Sequence, residues 1–421
     1  MKIFNDFYAA RPERVEFKVR EQAMSRKEGW NRREFIVKPV VWAGAASVLS
    51  RTDLFAADST VNITGGPLLQ RPLGRTGITL PIVSMGVMNA DVPGLLRRAY
   101  ELGIRHFDTA AVYQQGRNEE MVGDVIKELG VRDKVIISTK QGIRSNRSDA
   151  EAKKRFIEGV EASLKRLQMD HVDLLYHHGA DTVEDARAEG PLEALHTLKK
   201  DGKTRFIGIS THRTVDVINE AIGLNTFDVA LVTLNYTMAH DASILSTIER
   251  AAKSGIGIVA MKTQAGGTVR PDAKLPKELP PHSQTALLKW VLNHDFISTA
   301  IPGFSTYDHL EQDFSVIRDL SYTDEEKNFL ADKAFLAQAE FCQQCGECVQ
   351  ECPKHVNIPT LMRSHMYAVQ YRNTSMASTM LAAMRSGKGL DACRQCATCA
   401  ATCRNTVQIS RKIAQLKTMA L

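Results

Sequence analysis

From Leu73 onward the chain alternates short apolar runs with longer stretches in which apolar residues recur every three or four positions. The runs IVSMGV (82–87), RHFDTA (105–110), KVIIST (134–139), VDLLYH (172–177), RFIGIS (205–210), VALVTLN (229–235), GIGIVAM (255–261) and STAIPG (298–303) predict strands. Segments between them, such as DAEAKKRFIEGVEASLKRL (149–167), predict amphipathic helices. Eight such repeats predict an α/β fold, a (β/α)8 TIM barrel over residues 70–320. An open doubly wound sheet is the alternative. It calls for a glycine-rich phosphate turn after the first strand, and GVMNADVPG (86–94) is not G-x-G-x-x-G.

In such barrels the chemistry sits where strands pass into loops. Four polar residues fall there: Asp108 after the second strand, Tyr113 five residues on, Lys140 ending the third and His178 ending the fourth. Singly, an Asp caps a helix, a Lys is solvated and a Tyr packs. Four at consecutive strand ends make a candidate site.

The stretches LGRTG (73–77), GIRHFDTAAVYQQGRNEEMVG (103–123), VIISTK (135–140), DLLYHH (173–178), IGIST (207–211), GIVAMKTQAGG (257–267) and IPGFS (301–305) resemble the aldo-keto reductase family. The resemblance covers about residues 70–320. It implies that a nicotinamide cofactor, NADP(H) or NAD(H), exchanges hydride with a small carbonyl or alcohol substrate while Tyr113 supplies a proton. Lys140 is expected to lower the phenol's pKa from its ordinary value near 10. Asp108 is expected to hold Lys140 charged and in place, and His178 to orient the substrate oxygen. The family's spacing selects His178, five residues after Asp173, and strand alternation turns His177 the other way.

For the cofactor the resemblance implies Ser210, in a Ser210-Thr211 pair where the family has Ser-Asn, and Met261, where an aromatic often stacks. It adds Lys262, then Gly303, Ser305 and His309 around the last loop and helix N-terminus, where backbone N–H groups can meet phosphate. Thr306 stands where the family often carries a base for the 2′-phosphate, so NADP and NAD both stay open. His309 reads equally well as a surface residue.

The segment 321–341 predicts a linking helix starting near Thr323 or Asp324. All eight cysteines follow it, as Cys342-x2-Cys345-x2-Cys348-x3-Cys352-Pro353 and Cys393-x2-Cys396-x2-Cys399-x3-Cys403, with Arg404 in place of the second proline. This is the spacing of bacterial-type 4Fe-4S ferredoxins, in which the fourth cysteine serves the other cluster. It predicts two 4Fe-4S clusters, one on Cys342, Cys345, Cys348 and Cys403, the other on Cys393, Cys396, Cys399 and Cys352. Zinc also takes C-x2-C pairs but needs no 2-2-3 spacing twice. Disulfides are the remaining reading, and neighbours this regular suit a compact cluster better. Residues 342–421 therefore read as a helix-rich, two-cluster ferredoxin-like domain, with LMRSHMYAVQ (361–370) and MASTMLAAMRS (376–386) helical.

Upstream, NRREFIVK (31–38) precedes PVVWAGAASVLS (39–50), an apolar run shorter than the roughly 20 residues of a spanning helix. The pair Arg32-Arg33 before small apolar residues resembles a twin-arginine (Tat) signal. That resemblance implies a signal peptide and leader over 1–58, the Tat translocase as a partner, and a periplasmic or otherwise exported protein that folds before it leaves. Met24 is an alternative start, and Ala56 or Ala57 a candidate cleavage position. Of the net charge of +6, the first fifty residues hold ten Lys/Arg against six Asp/Glu. The body shows no basic stripe of the kind that binds nucleic acid.

The leading reading is an exported oxidoreductase whose tail exchanges electrons with a redox partner protein. Clusters take no hydride directly; a flavin-like converter is usual, and no motif for one is present. The alternative is an electron-transfer subunit whose barrel is a docking scaffold, although a scaffold needs no tetrad.

Overall fold

The apolar runs form the strands. β3 (Met85–Gly86), β4 (His106–Asp108), β5 (Ile136–Gln141), β6 (Val172–His177), β7 (Thr204–Thr211), β8 (Val229–Thr233), β9 (Gly257–Met261) and β10 (Thr299–Ala300) form one parallel sheet in chain order. Bridges Val83↔Ala300 and Gly86↔Gly303 join its two edges into a barrel. This computed structural model describes residues 67–142, 149–265, 281–332, 335, 339–419 and 421, which all lie in one compact unit, Thr52–Leu421. The expected signal over 1–58 lies outside the described residues. Among the described residues no helix is long and apolar enough to cross a membrane.

Alternation along the strands decides what faces inward. Ile136, Leu174, Tyr176, Val229, Leu231 and Val259 form one interior cluster. The intervening Ile137, Leu175, Ile207, Ile209, Ala230, Val232, Ile258 and Ala260 join the outer core, with Phe156, Val160 and Leu164 of α3 (Asp149–Leu167). The same alternation carries Ser138 and Lys140 inward, two and four residues past Ile136.

One element was not expected. β1 (Gln70–Pro72) and β2 (Thr79–Pro81) pair antiparallel around LGRTG, and Leu73, Ile78 and Leu80 enter the interior cluster. The hairpin seats where β9 begins: a Cβ on Gly74, whose φ is +52°, would lie 2.3 Å from the Gly257 nitrogen. Strands of three residues are too short to show a period, which is why the pattern missed them.

Helices α1 (Pro93–Leu102), α2 (Arg117–Leu129), α3, α4 (Val183–Ala186), α5 (Glu189–Lys200), α6 (Thr214–Leu224), α7 (Ala242–Lys253), α8 (Pro281–Leu292) and α9 (Tyr307–Phe314) surround the sheet. α10 (Asp324–Ala331) starts on a capping box of Thr323 and Glu326. The helix expected over 321–341 ends early, because Asp332 turns extended and Phe335 folds back onto Leu287, Tyr236 and Phe329.

The tail adds α11 (Glu347–Glu351), α12 (Ile358–Val369), α13 (Thr374–Ala382), α14 (Leu390–Cys393) and α15 (Ile409–Thr418). Every residue of α12 from Ile358 to Tyr367 is buried. Ile358, Leu361 and Met362 pack in the tail's own core with Val356, Ile409, Ile413 and Leu416. Met366 and Tyr367 belong instead to the barrel's core. The tail is thus fastened to the barrel by its most buried helix.

Candidate functional site

Asp108 ends β4 and Lys140 lies near the end of β5, both almost wholly buried. The Lys140 ammonium donates to Asp108 Oδ2 at 2.5 Å and to the Thr109 carbonyl at 2.6 Å, and lies 3.5 Å from the Tyr113 hydroxyl. Ser138 Oγ donates to the other Asp108 oxygen at 2.6 Å and meets His106 Nε2 at 3.0 Å. The carboxylate is therefore held from both sides.

Tyr113 opens a short turn in which Gln114 and Gln115 take left-handed φ of 49° and 59°. Gly116 completes it at φ 93°, where an added Cβ would lie 2.8 Å from Arg166 Cδ. Asn118 at the head of α2 ties the loop down, accepting from Thr109 Oγ1 at 2.6 Å and donating to the Val87 carbonyl at 2.7 Å. His178 stands edge-on to Tyr113, ring centroids 6.1 Å apart at 85°. Its neighbour His177 faces away onto Phe156, at 6.0 Å. Asp108, Tyr113, Lys140 and His178 are brought together.

Burial sets the protonation states here. It pushes the Tyr113 phenol well above its ordinary value, and Asp108 and the tail's Tyr367 and Tyr371 add to the rise. This corrects the expectation that Lys140 lowers that pKa: one ammonium 3.5 Å away does not offset burial beside a carboxylate and two phenols. The phenol is a proton donor at neutral pH. Burial also holds Lys140 below its ordinary value, with Asp108 pulling the other way. His178 is pushed well below its ordinary value by burial first, then by Lys140 and His212. Its imidazole is neutral at pH 7.

The expected nucleotide residues fall into two groups. Ser210 is buried on β7, its carbonyl accepting from Ala180 N at 3.0 Å. Met261 ends β9, partly buried against the interior cluster. Lys262 follows it at φ 57° and lies 3.2 Å from the Tyr367 hydroxyl. Gly303, Ser305 and His309 form an exposed group at the start of α9, where Ser305 Oγ meets His309 Nδ1 at 3.1 Å and Thr306 caps the helix. Just past the ends of β8 and β9, Asn235 Nδ2 and Thr263 Oγ1 are buried without a partner. Orphaned donors and acceptors beside the mouth fit a ligand with an amide, as a nicotinamide carries.

The sequence pattern did not find the roof. α12 brings Arg363, Met366 and Tyr367 over the mouth at helical spacing. Arg363 Nη1 donates to Asp181 Oδ2 at 2.8 Å and to Gln344 Oε1 at 3.2 Å. Asp181, in the loop after His178, also accepts from His212 N at 2.8 Å and faces His212 Nδ1 at 3.2 Å. Arg363 and His212 hold its carboxyl well below the carboxylate range despite burial. Asn373 reaches Asn89 at 3.0 Å, and Arg404 reaches Asp241 at 3.5 Å. The available signal was an Arg inside the apolar run LMRSHMY, since Arg is rarely fully buried without a partner.

The cysteines gather as the crossed ligand scheme requires. Cys342, Cys345, Cys348 and Cys403 line one cavity of about 370 Å³. Among the described residues no three His, Cys, Asp or Glu converge on a point fit for a single metal ion. Four thiols lining one cavity fit the donor set of a cluster. Burial, with Cys345 and Cys403 as neighbours, pushes the Cys342 and Cys348 thiols up to about 12. Cys393 is pushed up to about 11 by burial and then by Cys352, Cys396 and Cys399. Thiols that resist ionising together need bound cations to hold them as thiolates.

Residues 84–285 match the model of the Aldo/keto reductase family, and residues 341–408 match that of the 4Fe-4S dicluster domain. L-galactose dehydrogenase of Arabidopsis thaliana is 28% identical over 284 residues, 59% of this chain and 88% of that protein. L-glyceraldehyde 3-phosphate reductase of Escherichia coli K12 is 26% identical over 320 residues, 62% of this chain and 91% of that protein. Among solved structures, the holo form of aldo-keto reductase AKR11C1 from Bacillus halodurans superposes with a TM-score of 0.53 at 25% identity. That likeness covers 64% of this chain and 96% of that one.

Proposed function

We propose that this oxidoreductase, built on an aldo/keto reductase domain and a 4Fe-4S dicluster domain, interconverts a small carbonyl compound and its alcohol at the barrel mouth. The observation that carries the reading is the chain Asp108–Lys140–Tyr113 closed by His178. A bound nicotinamide would supply or accept the hydride. Tyr113, protonated at neutral pH, gives its proton to the carbonyl oxygen as that oxygen becomes an alkoxide. Lys140, fixed by Asp108 and the Thr109 carbonyl, places positive charge beside the phenolate left behind. His178, neutral, orients the substrate oxygen. The roof of α12 keeps water from the reacting centre.

Two clusters, on the crossed cysteine sets, would supply one-electron chemistry in the tail. Cys342, Met362 and Val407 line both the first cysteine cavity and the cleft at the barrel mouth. That shared wall supports a second reading, in which the tail passes single electrons between a redox partner protein and a flavin-like converter acting at the barrel mouth. The Tat-like leader supports action outside the cytoplasm after export in the folded state.

The reading is tested on full-length, cluster-loaded protein offered reduced nicotinamide and a panel of aldehydes, ketones and sugars. Carbonyl-dependent loss of reduced nicotinamide is expected for at least one. No turnover across the panel, with no nucleotide retained on the exported protein, contradicts it.

A further inference from the structure

Between the barrel mouth and the tail lies a cleft of about 390 Å³, walled by Phe341 and Met366 and reached by Thr233, Lys262, Gln344 and Arg363. Among its lining residues, Arg363 Nε and Thr233 Oγ1 are buried with no hydrogen-bond partner. Arg363 is 6% exposed and Thr233 1%. The guanidinium uses Nη1 for Asp181 and Gln344, which leaves Nε unanswered. Buried donors are rarely orphaned unless something outside the chain pairs with them.

The charges point to the sign of that partner. Asp181 is answered by Arg363 and His212, and Glu340 by Arg411 at 2.6 Å and Lys412 at 3.2 Å. Lys262 meets the Tyr367 hydroxyl at 3.2 Å, and among the described residues it pairs with no carboxylate. Donors and positive charge exceed acceptors in a largely apolar cleft. A guanidinium edge suits a carboxylate or phosphate, which accepts two parallel bonds.

We infer that this cleft is an oxyanion-binding site, in which Arg363, Thr233 and Lys262 receive a carboxylate or phosphate group of a ligand lying across the barrel mouth. The inference rests on the reductase reading in taking that mouth as the place where substrate and nucleotide meet. The oxyanion belongs either to the substrate's carboxylate or to the nucleotide's phosphates. Arg363 places this specificity in the tail, so the iron–sulfur domain helps choose what the barrel reduces.

The test is calorimetric titration of the full-length, cluster-loaded protein with oxamate, a small carboxylate, and separately with inorganic pyrophosphate. Saturable binding of at least one is expected, and Arg363→Lys, which keeps the charge and loses the fork, should weaken it about tenfold or more. Thr233→Val, on the barrel side, should weaken it several-fold with iron content unchanged, and it carries the test if Arg363→Lys loses iron. Oxamate sensitivity assigns the site to substrate, and pyrophosphate sensitivity assigns it to the nucleotide. Binding should persist in Tyr113→Phe, so a failure of the hydride reading leaves this result readable. Absence of binding by both anions overturns the inference. So does equal binding by wild type and both variants, including the case where Arg363→Lys shifts only the cluster potential.

Discussion

The ammonium of Lys262, at the end of β9, lies 3.2 Å from the hydroxyl of Tyr367 on α12 and 5.0 Å from its ring centre. A tail residue thus completes the rim of the barrel mouth. Tyr367→Phe keeps the ring and removes the bond, a change of about 0.5–1.5 kcal/mol, or two- to tenfold, expected in KM more than in kcat. Tyr367→Ala also empties part of the shared core and should lower stability by about 3–5 kcal/mol, read as a drop in the unfolding midpoint.

The Lys140–Asp108 pair is 1% and 2% exposed, so neither charge has water to fall back on. Asp108→Asn leaves a buried ammonium facing an amide and should cost about 3–5 kcal/mol of stability along with most of the activity. The double variant Asp108→Leu/Lys140→Met removes both charges and should recover stability but not turnover. Chemical denaturation and steady-state rates, measured side by side, separate the two effects.

Crossed ligation makes a prediction that an uncrossed scheme reverses. Cys403→Ser and Cys345→Ser should erase the same cluster signal, and Cys352→Ser and Cys396→Ser the other. Iron content should fall by about half in each, with electron paramagnetic resonance identifying the surviving cluster. If Cys403→Ser and Cys396→Ser removed the same signal, the assignment would be wrong.

Burial alone depresses the His177 pKa from 6.5 to about 4. Between those values the unfolded chain binds the proton that the folded chain refuses, so stability is full above pH 6.5 and declines as pH falls toward 4. His106, depressed to about 4 by burial first and then by Lys140 against the pull of Asp108, adds to the decline. His177→Gln should flatten the dependence of the urea midpoint between pH 6.5 and 4.5. An unchanged slope would remove His177 from the acid response.

The proposed Tat-type leader can be tested by itself. Arg32→Lys/Arg33→Lys should leave the protein folded, cluster-loaded and retained in the cytoplasm, as cell fractionation would show.

How much of this was legible in the sequence varies with the range of the interaction involved. The strand ends carrying Asp108, Lys140 and His178 follow from the apolar runs, whereas His178 is chosen over His177 by the spacing of the family the chain resembles, with strand alternation turning His177 away. The cysteine sets are written in spacing. The roof is not, because Arg363 and Asp181 are 182 residues apart and no local pattern brings them together. The Tyr113 pKa was misjudged for the same reason. Its neighbours Tyr367 and Tyr371 arrive from the tail, and burial beneath them outweighs Lys140. Burial comes first and Asp108 second in raising the Tyr113 pKa, and the tail's two tyrosines add to both.

The most direct measurement is carbonyl reduction by Tyr113→Phe, made on full-length protein with iron content and nucleotide affinity checked in parallel. The account predicts a fall of about 10²–10⁴-fold in kcat with nucleotide binding and both clusters retained. Turnover equal to that of the wild type would contradict it.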